Sequence, residues 1–288
     1  MHDLINVIVL GLIEGITEFL PISSTGHLLI AEHWLGARSD LFTVGIQAGA
    51  ILAITLVYWR RIWALLTQWG DRANLVYLAK LIVAFLITAG IGFVAVSAGF
   101  QLPTNLKPIA WALIIGGVWM IIAERISEWR AKRAKEAHSI MIMDGEEVRY
   151  VTPGYDPTKI TWTVAILVGI AQMIAGIFPG TSRSAATIFA AMLFGTHDRS
   201  AATEFAFLVG IPTMYAATGY EFYKVHESGA AVHQNWGALG IGFVVSMIVA
   251  FIAVKWLLNY IRTHNFIPFA IYRILLGIAV LVILAVGA

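Results

Sequence analysis

Two carboxylates lie close together near the start of an otherwise apolar sequence. Glu14 and Glu18 are four residues apart, so on a helix their side chains would share one face and repel each other. Pro21 would end that helix, and the negative end of the helix dipole disfavours further anions there. The pair therefore needs a positive partner or a proton. The alternatives are a bound Mg²⁺ or Ca²⁺ with both glutamates as ligands, an arginine, or a proton shared between the carboxyl groups.

A second stretch of the chain repeats the residue pattern of the first. A shift of about 158 residues pairs small and turn-forming residues: Gly11 with Gly169, Pro21 with Pro179, and Ser24 with Ser182. The same shift pairs unlike polar residues: Glu14 with Gln172, Glu18 with Gly176, and Thr25 with Arg183. The two stretches are therefore predicted to share a backbone conformation and to divide acidic from basic chemistry between them.

Hydroxyl and glycine residues follow the proline in both stretches. They are candidates to cap a short helix and to bind substrate: Ser23, Ser24, Thr25 and Gly26 in the first stretch, and Gly180, Thr181, Ser182 and Ser184 in the second. We expect the first short helix to begin near Gly26. Two helix N-termini that converge would form a cradle for an anion, because their free N–H groups favour negative charge. Arg183 would add a permanently charged, forked donor suited to two phosphate oxygens.

A histidine completes the first stretch. His27 lies three residues after Ser24, and beside two carboxylates and a hydroxyl it is a candidate catalytic residue. It could deprotonate Ser24, attack phosphorus itself, or protonate a leaving oxygen, and the sequence does not choose among these roles. Together with Glu14, Glu18 and Arg183, these two residues form the predicted catalytic set.

The composition indicates what kind of protein must position these residues. The chain of 288 residues is 59% hydrophobic and 12% charged, whereas soluble domains are about one quarter charged. The sequence therefore predicts an integral membrane protein. Its net charge of +2 gives no indication of nucleic-acid binding, and the absence of cysteine excludes disulfides and thiol chemistry.

Apolar runs divide the chain into predicted membrane elements. Six runs are long enough to cross about 30 Å of hydrocarbon: 41–59, 78–98, 108–124, 203–223, 237–258 and 267–287. The segments 4–36 and 160–196 are instead apolar helices broken by proline, glycine and hydroxyl residues. We predict that both are re-entrant, because a broken backbone at membrane depth is tolerated only where it lines a protein-enclosed polar cavity.

This pattern predicts an all-α membrane protein with two inverted-topology repeats, each a re-entrant helix-loop-helix plus three transmembrane helices. A single membrane domain, 1–288, would hold repeat one at about 1–124, a cytoplasmic loop at about 125–159 that begins as a helix extension, and repeat two at about 160–288. The two broken helices would enter from opposite faces and meet near the midplane. Paired broken helices of this kind also build substrate sites in transporters.

Basic residues predict the orientation of the chain. One face would hold only Arg38, Lys107 and Lys224. The other would hold Arg60, Arg61, Arg72, Lys80, Arg125, Arg130, Lys132, Arg133, Lys135, Arg149, Lys159, Arg199, Lys255 and Arg262. The positive-inside rule makes the second face cytoplasmic and places both termini outside. Arg273 lies within the last span, where we predict that it snorkels or forms a structural ion pair.

The chain closely resembles the undecaprenyl-pyrophosphate phosphatases, the bacterial membrane family linked to bacitracin resistance. The first matching motif is Glu14 and Glu18 followed by SSTGH at 23–27. The second is PGxSRSxxT, complete in residues 179–187. The runs FLVGIP at 207–212 and IYR at 271–273 extend the similarity along the chain. Phosphatidic-acid phosphatases also use GH and SR motifs, but Phe189 stands where that family has a second histidine.

The resemblance implies hydrolysis of undecaprenyl pyrophosphate to the monophosphate carrier for cell-wall synthesis. It also implies a divalent cation and a bacterial plasma-membrane site open to the outer face. Ser24, His27 and water are left open as nucleophile, and a homodimer is left open as the oligomeric state. A transporter or flippase of the lipid carrier is the alternative function. It would use the same anion cradle but would not need a hydroxyl beside a histidine and two carboxylates.

Overall fold

The fold is helical apart from one small hairpin. The computed structural model describes residues 2–99, 105–138, 140–144, 147–151, 159–227 and 235–286. The helices are α1 (His2–Thr17), α2 (Ser24–Leu35), α3 (Asp40–Val57), α4 (Trp59–Thr67), α5 (Arg72–Ser97), α6 (Leu106–His138), α7 (Trp162–Ile177), α8 (Arg183–Phe194), α9 (Arg199–Glu227), α10 (Trp236–Tyr260) and α11 (Ile267–Val286). The predicted all-α class is therefore confirmed for the membrane part of the described chain.

Two strands lie between α6 and α7. Strand β1 (Ile140–Asp144) pairs antiparallel with β2 (Glu147–Val151), with Ile140 opposite Val151. The predicted helix extension into this loop is confirmed, because α6 continues to His138. The hairpin itself was not predicted, and residues 152–158 of the predicted loop lie outside the described residues.

Five helices in the described part of the chain are long and apolar enough to cross a membrane. These helices are α3, α5, α6, α10 and α11. This confirms a multi-pass membrane protein. The predicted span 203–223 lies within α9, which begins and ends with charged residues and is not among the five. Its crossing stays a prediction, as do the repeat boundaries.

Both predicted broken helices are present. Helices α1 and α7 each have 16 residues, and α2 and α8, which follow them, each have 12. The N-cap residues of the short helices, Ser23 and Ser182, both adopt positive φ values of 75° and 72°. Helix α2 begins at Ser24, so the start predicted near Gly26 is two residues too late.

The two N-caps show that the pairing of the two stretches predicted from the sequence is wrong by one residue at the short helices. Ser23 and Ser182 are 159 residues apart and are equivalent N-caps, so Ser24 lies opposite Arg183 rather than opposite Ser182. The shift of about 158 residues does hold in the preceding helices. A Cβ on Gly11 would lie 2.9 Å from a carbonyl oxygen of α10, and one on Gly169 would lie 2.7 Å from a carbonyl oxygen of α5. The register changes because Gly11 and Ser23 are 12 residues apart, whereas Gly169 and Ser182 are 13 residues apart.

Close packing of α6 on α11 positions the site from the other side. Small residues permit this approach: a Cβ on Gly277 would lie 2.6 Å from the carbonyl oxygen of Ala110. A Cβ on Gly116 would lie 2.2 Å from Nη2 of Arg273. The glycine therefore leaves the space that the guanidinium of Arg273 fills.

Candidate active site

Glu18 lies at the centre of the predicted catalytic residues. Its Oε1 accepts a hydrogen bond from Nη2 of Arg183 at 2.8 Å, and its Oε2 accepts one from the hydroxyl of Ser24. The side chain of Glu18 is 3% exposed, while that of Arg183 is 29% exposed. The structure thus brings together an acid and a hydroxyl from the first stretch with the cation of the second. Of the alternatives for the glutamate pair, an arginine partner is observed for Glu18.

Glu14 lies one helical turn before Glu18 and is almost completely buried. Neither of its carboxylate oxygens has a hydrogen-bond partner among the described residues. A buried charge without a partner is costly, so this carboxylate fits either a cation or a bound proton. The described residues contain no group of three or more His, Cys, Asp or Glu that could hold a metal. A metal at Glu14 and Glu18 would therefore need further ligands from water or phosphate oxygens.

The two short helices begin with matching side-chain caps. Ser23 Oγ accepts from the backbone N–H of Gly26 at 3.3 Å, and Ser182 Oγ accepts from the N–H of Ala185 at 3.3 Å. The N–H of Thr181 donates to the carbonyl of Phe178 at 3.1 Å. Several N–H groups of the predicted cradle are therefore engaged within their own loops. Their binding of substrate stays a prediction, as does that of Thr25, whose side chain is exposed.

Two polar side chains join one loop to the other. The hydroxyl of Ser184 donates to the carbonyl of Leu20 at 2.9 Å. Arg273 donates through Nη2 to the carbonyls of Gly180 and Thr181, at 2.8 and 2.9 Å, and through Nη1 to the carbonyl of Pro21 at 3.5 Å. Both loops are thus held against each other.

The prediction for Arg273 was wrong. Its side chain is 0% exposed, so it does not snorkel, and within the described residues it forms no ion pair. Its guanidinium instead satisfies backbone carbonyls that the broken helices leave free, as buried carbonyls require. The available signal was Gly116, whose missing side chain makes room for the guanidinium, but one sequence does not show that α6 and α11 are in contact.

His27 is held away from Ser24 in this arrangement. Its Nδ1 bonds the carbonyl of Ser23 at 2.7 Å, and its Nε2 lies 2.8 Å from the hydroxyl of Tyr272. The rings of His27 and Tyr272 also stack, with centroids 5.6 Å apart. Because a carbonyl can only accept, Nδ1 carries a proton, and Nε2 of a neutral ring accepts from Tyr272. The sequence reasoning missed Tyr272, although it lies next to Arg273 in the IYR run.

A cavity of about 20 Å³ adjoins the central cluster and has room for about one water molecule. Glu18, Gln172, Arg183 and Thr187 are among the residues that line it. Gln172 is buried and donates through Nε2 to the hydroxyl of Thr213 at 2.8 Å. Its Oε1 has no hydrogen-bond partner among the described residues. Gln172 thus presents a free acceptor beside the cluster.

Comparisons with known proteins give one consistent result. The family model of the bacitracin resistance protein BacA matches residues 7–279 of the chain. An undecaprenyl-diphosphatase of Rhizobium johnstonii is 60% identical over 285 residues, covering 99% of this chain and 98% of that protein. Proteins with the same description from Xylella fastidiosa and Xanthomonas axonopodis pv. citri are 51% identical, over 281 and 288 residues. The alignment with the Xylella protein covers 98% of this chain and 98% of that protein, and the alignment with the Xanthomonas protein covers 100% of both.

Proposed function

The chain belongs to the bacitracin resistance protein BacA family, and we propose that its work is done where Glu18 meets Ser24 and Arg183. The chain is an undecaprenyl-diphosphatase of the membrane. It hydrolyses undecaprenyl pyrophosphate to undecaprenyl phosphate and inorganic phosphate, which returns the lipid carrier to cell-wall synthesis. The carboxylate that holds both the hydroxyl and the guanidinium is the observation on which the proposed site rests.

Ser24 is the proposed nucleophile, and Glu18 is its general base. The hydroxyl of Ser24 already donates to Oε2 of Glu18, so its proton has an acceptor in place when the oxygen attacks the terminal phosphorus. That attack forms the bond from Oγ to phosphorus and breaks the bond from phosphorus to the bridging oxygen, which leaves with undecaprenyl phosphate. A water molecule then cleaves the phosphoserine, releasing inorganic phosphate and restoring the hydroxyl.

Arg183 is the proposed phosphate-binding cation. Its side chain remains partly exposed while one Nη2 bond holds Glu18, so other donors of the guanidinium are free to meet phosphate oxygens. Phosphoryl transfer needs mainly positioning and stabilisation of charge on the oxygens, which a fixed guanidinium supplies. The loops and first helical turns around it contain the other predicted substrate-binding residues: Ser23, Thr25, Gly26, Gly180, Thr181, Ser182 and Ser184.

A divalent cation, Mg²⁺ or Ca²⁺, is proposed at Glu14 and Glu18. The buried and unpartnered carboxylate of Glu14 supports it, because hard cations prefer oxygen ligands. When bound, such an ion would neutralise charge on the diphosphate. His27, whose ring nitrogens are engaged by Ser23 and Tyr272, is proposed to orient the loop that carries Ser24.

The inverted, re-entrant arrangement is part of the same proposal. The matching lengths and caps of the two broken helices support it, and so does the exchange of packing partners, with α1 on α10 and α7 on α5. Helix α9 would then be the sixth span, and the distribution of basic residues would place both termini on the periplasmic side. The site would open to that face, as the family resemblance implies. A homodimer and the lack of a nucleic-acid partner stay predictions.

Phosphate release from undecaprenyl pyrophosphate by purified protein in detergent tests the proposal. We expect release by the wild type, almost none by Glu18→Gln, and unchanged release by Thr67→Ala, which removes an exposed hydroxyl on α4. Glu18→Gln keeps the side-chain volume, and a thermal unfolding scan checks its folding. Full activity of folded Glu18→Gln would refute Glu18 as the base.

The metal is tested separately with EDTA. We expect the chelator to abolish phosphate release and Mg²⁺ or Ca²⁺ to restore it in the wild type. Folded Glu14→Gln should need a higher concentration of the cation for half-maximal release. Release that is insensitive to EDTA would refute the cation. Intact lipid that binds in an Arg183-dependent way but is never hydrolysed would favour the transporter.

A further inference from the structure

A second cavity lies apart from the catalytic cluster and shares none of its lining residues. Its volume is about 500 Å³, within the range of ligand pockets. It is bounded by α4, the N-terminal turns of α5 and α9, and the chain just before α7. Its polar lining side chains are Arg61, Tyr77, Lys80, Lys159, Ser200, Asp198 and Glu204.

The acidic side chains of this pocket are already engaged within the protein. Glu204 pairs with Nε of Arg61 at 3.1 Å, and Asp198 accepts the N–H of Ala201 at 2.7 Å at the start of α9. Lys80 donates one hydrogen bond to the carbonyl of Ile160 at 2.6 Å, so two of its three N–H donors remain. Lys159 is exposed and has no ion pair among the described residues. The pocket therefore holds three cationic and two anionic side chains, and its two ammonium groups form no ion pair among the described residues.

Helix α4, which supplies Arg61, has the features of a helix that lies in the membrane interface. Trp59, Trp63 and Leu66 occupy one face of it and are each more than half exposed. The rings of Trp59 and Trp63 stack with centroids 5.8 Å apart. Tryptophan is enriched where the bilayer meets water, and amphipathic helices with basic residues lie in that plane. The pocket beside α4 is therefore at the depth of lipid headgroups.

An apolar surface continues from the pocket along α5. This helix lends Tyr77 and Lys80 to the lining and exposes Val76 and Val94 on the Lys80 side, each within about 40° of Lys80 at 3.6 residues per turn. A soluble anion would gain nothing from that surface, whereas acyl chains would cover it. Basic pockets between membrane helices are suited to anionic lipid headgroups.

We propose that this pocket binds the phosphate of an anionic phospholipid, with Lys80 and Lys159 as its charged donors and Ser200 as a hydroxyl donor. The lipid lies with its acyl chains along α5. The site takes a resident membrane lipid and is separate from the site that hydrolyses the substrate. A free phosphate ion presents the same oxygens as the lipid headgroup, so the experiment must distinguish binding of the lipid from binding of inorganic phosphate.

Native mass spectrometry of delipidated protein tests this assignment. The probes are phosphatidylglycerol and phosphatidylcholine with identical acyl chains, each titrated into the detergent-solubilised chain. We expect the wild type to prefer phosphatidylglycerol and the double variant Lys80→Gln/Lys159→Gln to lose about fivefold in affinity for each lysine removed. Lys159→Gln alone removes an exposed side chain and provides a second variant should the double variant fail to fold.

A matched control removes the same charge elsewhere. Lys255→Gln/Arg262→Gln alters two exposed basic residues that do not line the pocket and should leave the lipid preference unchanged. An equal loss in this control, or no loss in folded Lys159→Gln and the double variant, would overturn the proposal. Displacement of phosphatidylglycerol by millimolar inorganic phosphate would assign the pocket to a soluble anion instead.

Discussion

The two broken helices have the same backbone and opposite chemistry. In α2 the N-cap Ser23 precedes Ser24, and in α8 the N-cap Ser182 precedes Arg183, with almost equal φ values at the caps. The first helical position therefore holds a hydroxyl in one case and a guanidinium in the other. Both side chains donate a hydrogen bond to the carboxylate of Glu18.

The helices before the breaks differ in the same way. Glu14 and Gln172 are a matched pair in sequence, and both are buried with side-chain oxygens that lack partners among the described residues. The amide is neutral and is positioned by Thr88 and Thr213, whereas the carboxylate needs a cation or a proton. The two matched stretches thus bring an acid and a base, Glu18 and Arg183, into contact.

The largest effect is expected at Ser24. Because this hydroxyl is the proposed nucleophile, Ser24→Ala should lower kcat for phosphate release by about 10⁴-fold or more. Trapping of a phosphorylated enzyme during rapid-quench turnover should succeed with the wild type and fail with the variant. A variant that keeps near-normal kcat would show that the hydroxyl of α2 has no role in attack and that water is activated directly.

Removal of the opposing cation comes next. Arg183→Ala should lower kcat/KM by about 10³-fold, because the phosphate loses its charged donor and Glu18 loses its partner. Arg183→Lys serves as the charge-conserving comparison and should recover only part of the activity, since an ammonium cannot make the forked contacts. Wild-type activity of Arg183→Lys would mean that charge alone, without the guanidinium geometry, is sufficient in α8.

A change between the two loops should have a smaller effect. Gly116→Ala puts a methyl group where Nη2 of Arg273 lies, so it should displace the guanidinium that holds both loops. We expect kcat to fall by about 10²-fold, as for a small misplacement of reacting groups. Gly240→Ala is the control, because a Cβ there meets nothing within 4 Å. Equal kinetics of both alanine variants would show that Arg273 does not position the site.

The smallest effects should come from the caps. Ser23→Ala and Ser182→Ala each remove a cap bond to a helix N–H, at the same distance, and this loss should cost about 1 kcal/mol of stability. Ser182→Ala also removes the bond between the Ser182 and Ser184 hydroxyls, so thermal unfolding in detergent should show a shift for both variants and the larger one for Ser182→Ala. A shift in unfolding temperature for only one variant would indicate that the two caps do not both stabilise the protein.

The sequence was sufficient for features that depend on local pattern. Breaks at 18–23 and 178–182 follow from proline and glycine, and grouping Glu18 with Arg183 follows from the need of a buried carboxylate for a cation. The one-residue change in register was not predictable, because a uniform shift cannot show that the second stretch has one more residue between its packing glycine and its N-cap.

Features that depend on packing between distant helices were missed. Arg273 was expected to find water or a carboxylate, yet its acceptors are carbonyls from two loops that only the folded chain brings to α11. Tyr272 engages His27 across 245 residues for the same reason. The hairpin of β1 and β2 was also not predicted, because strands this short need no long apolar run.

Arg273 has a consequence for the order of assembly. It belongs to α11, which follows every other helix in the chain, and one of its acceptors, Pro21, lies 252 residues earlier. Helices enter the membrane from the N-terminal side during synthesis. A nascent chain can therefore contain Glu18, Ser24 and Arg183 before its loops are joined, and we expect full activity only after the last helix has inserted.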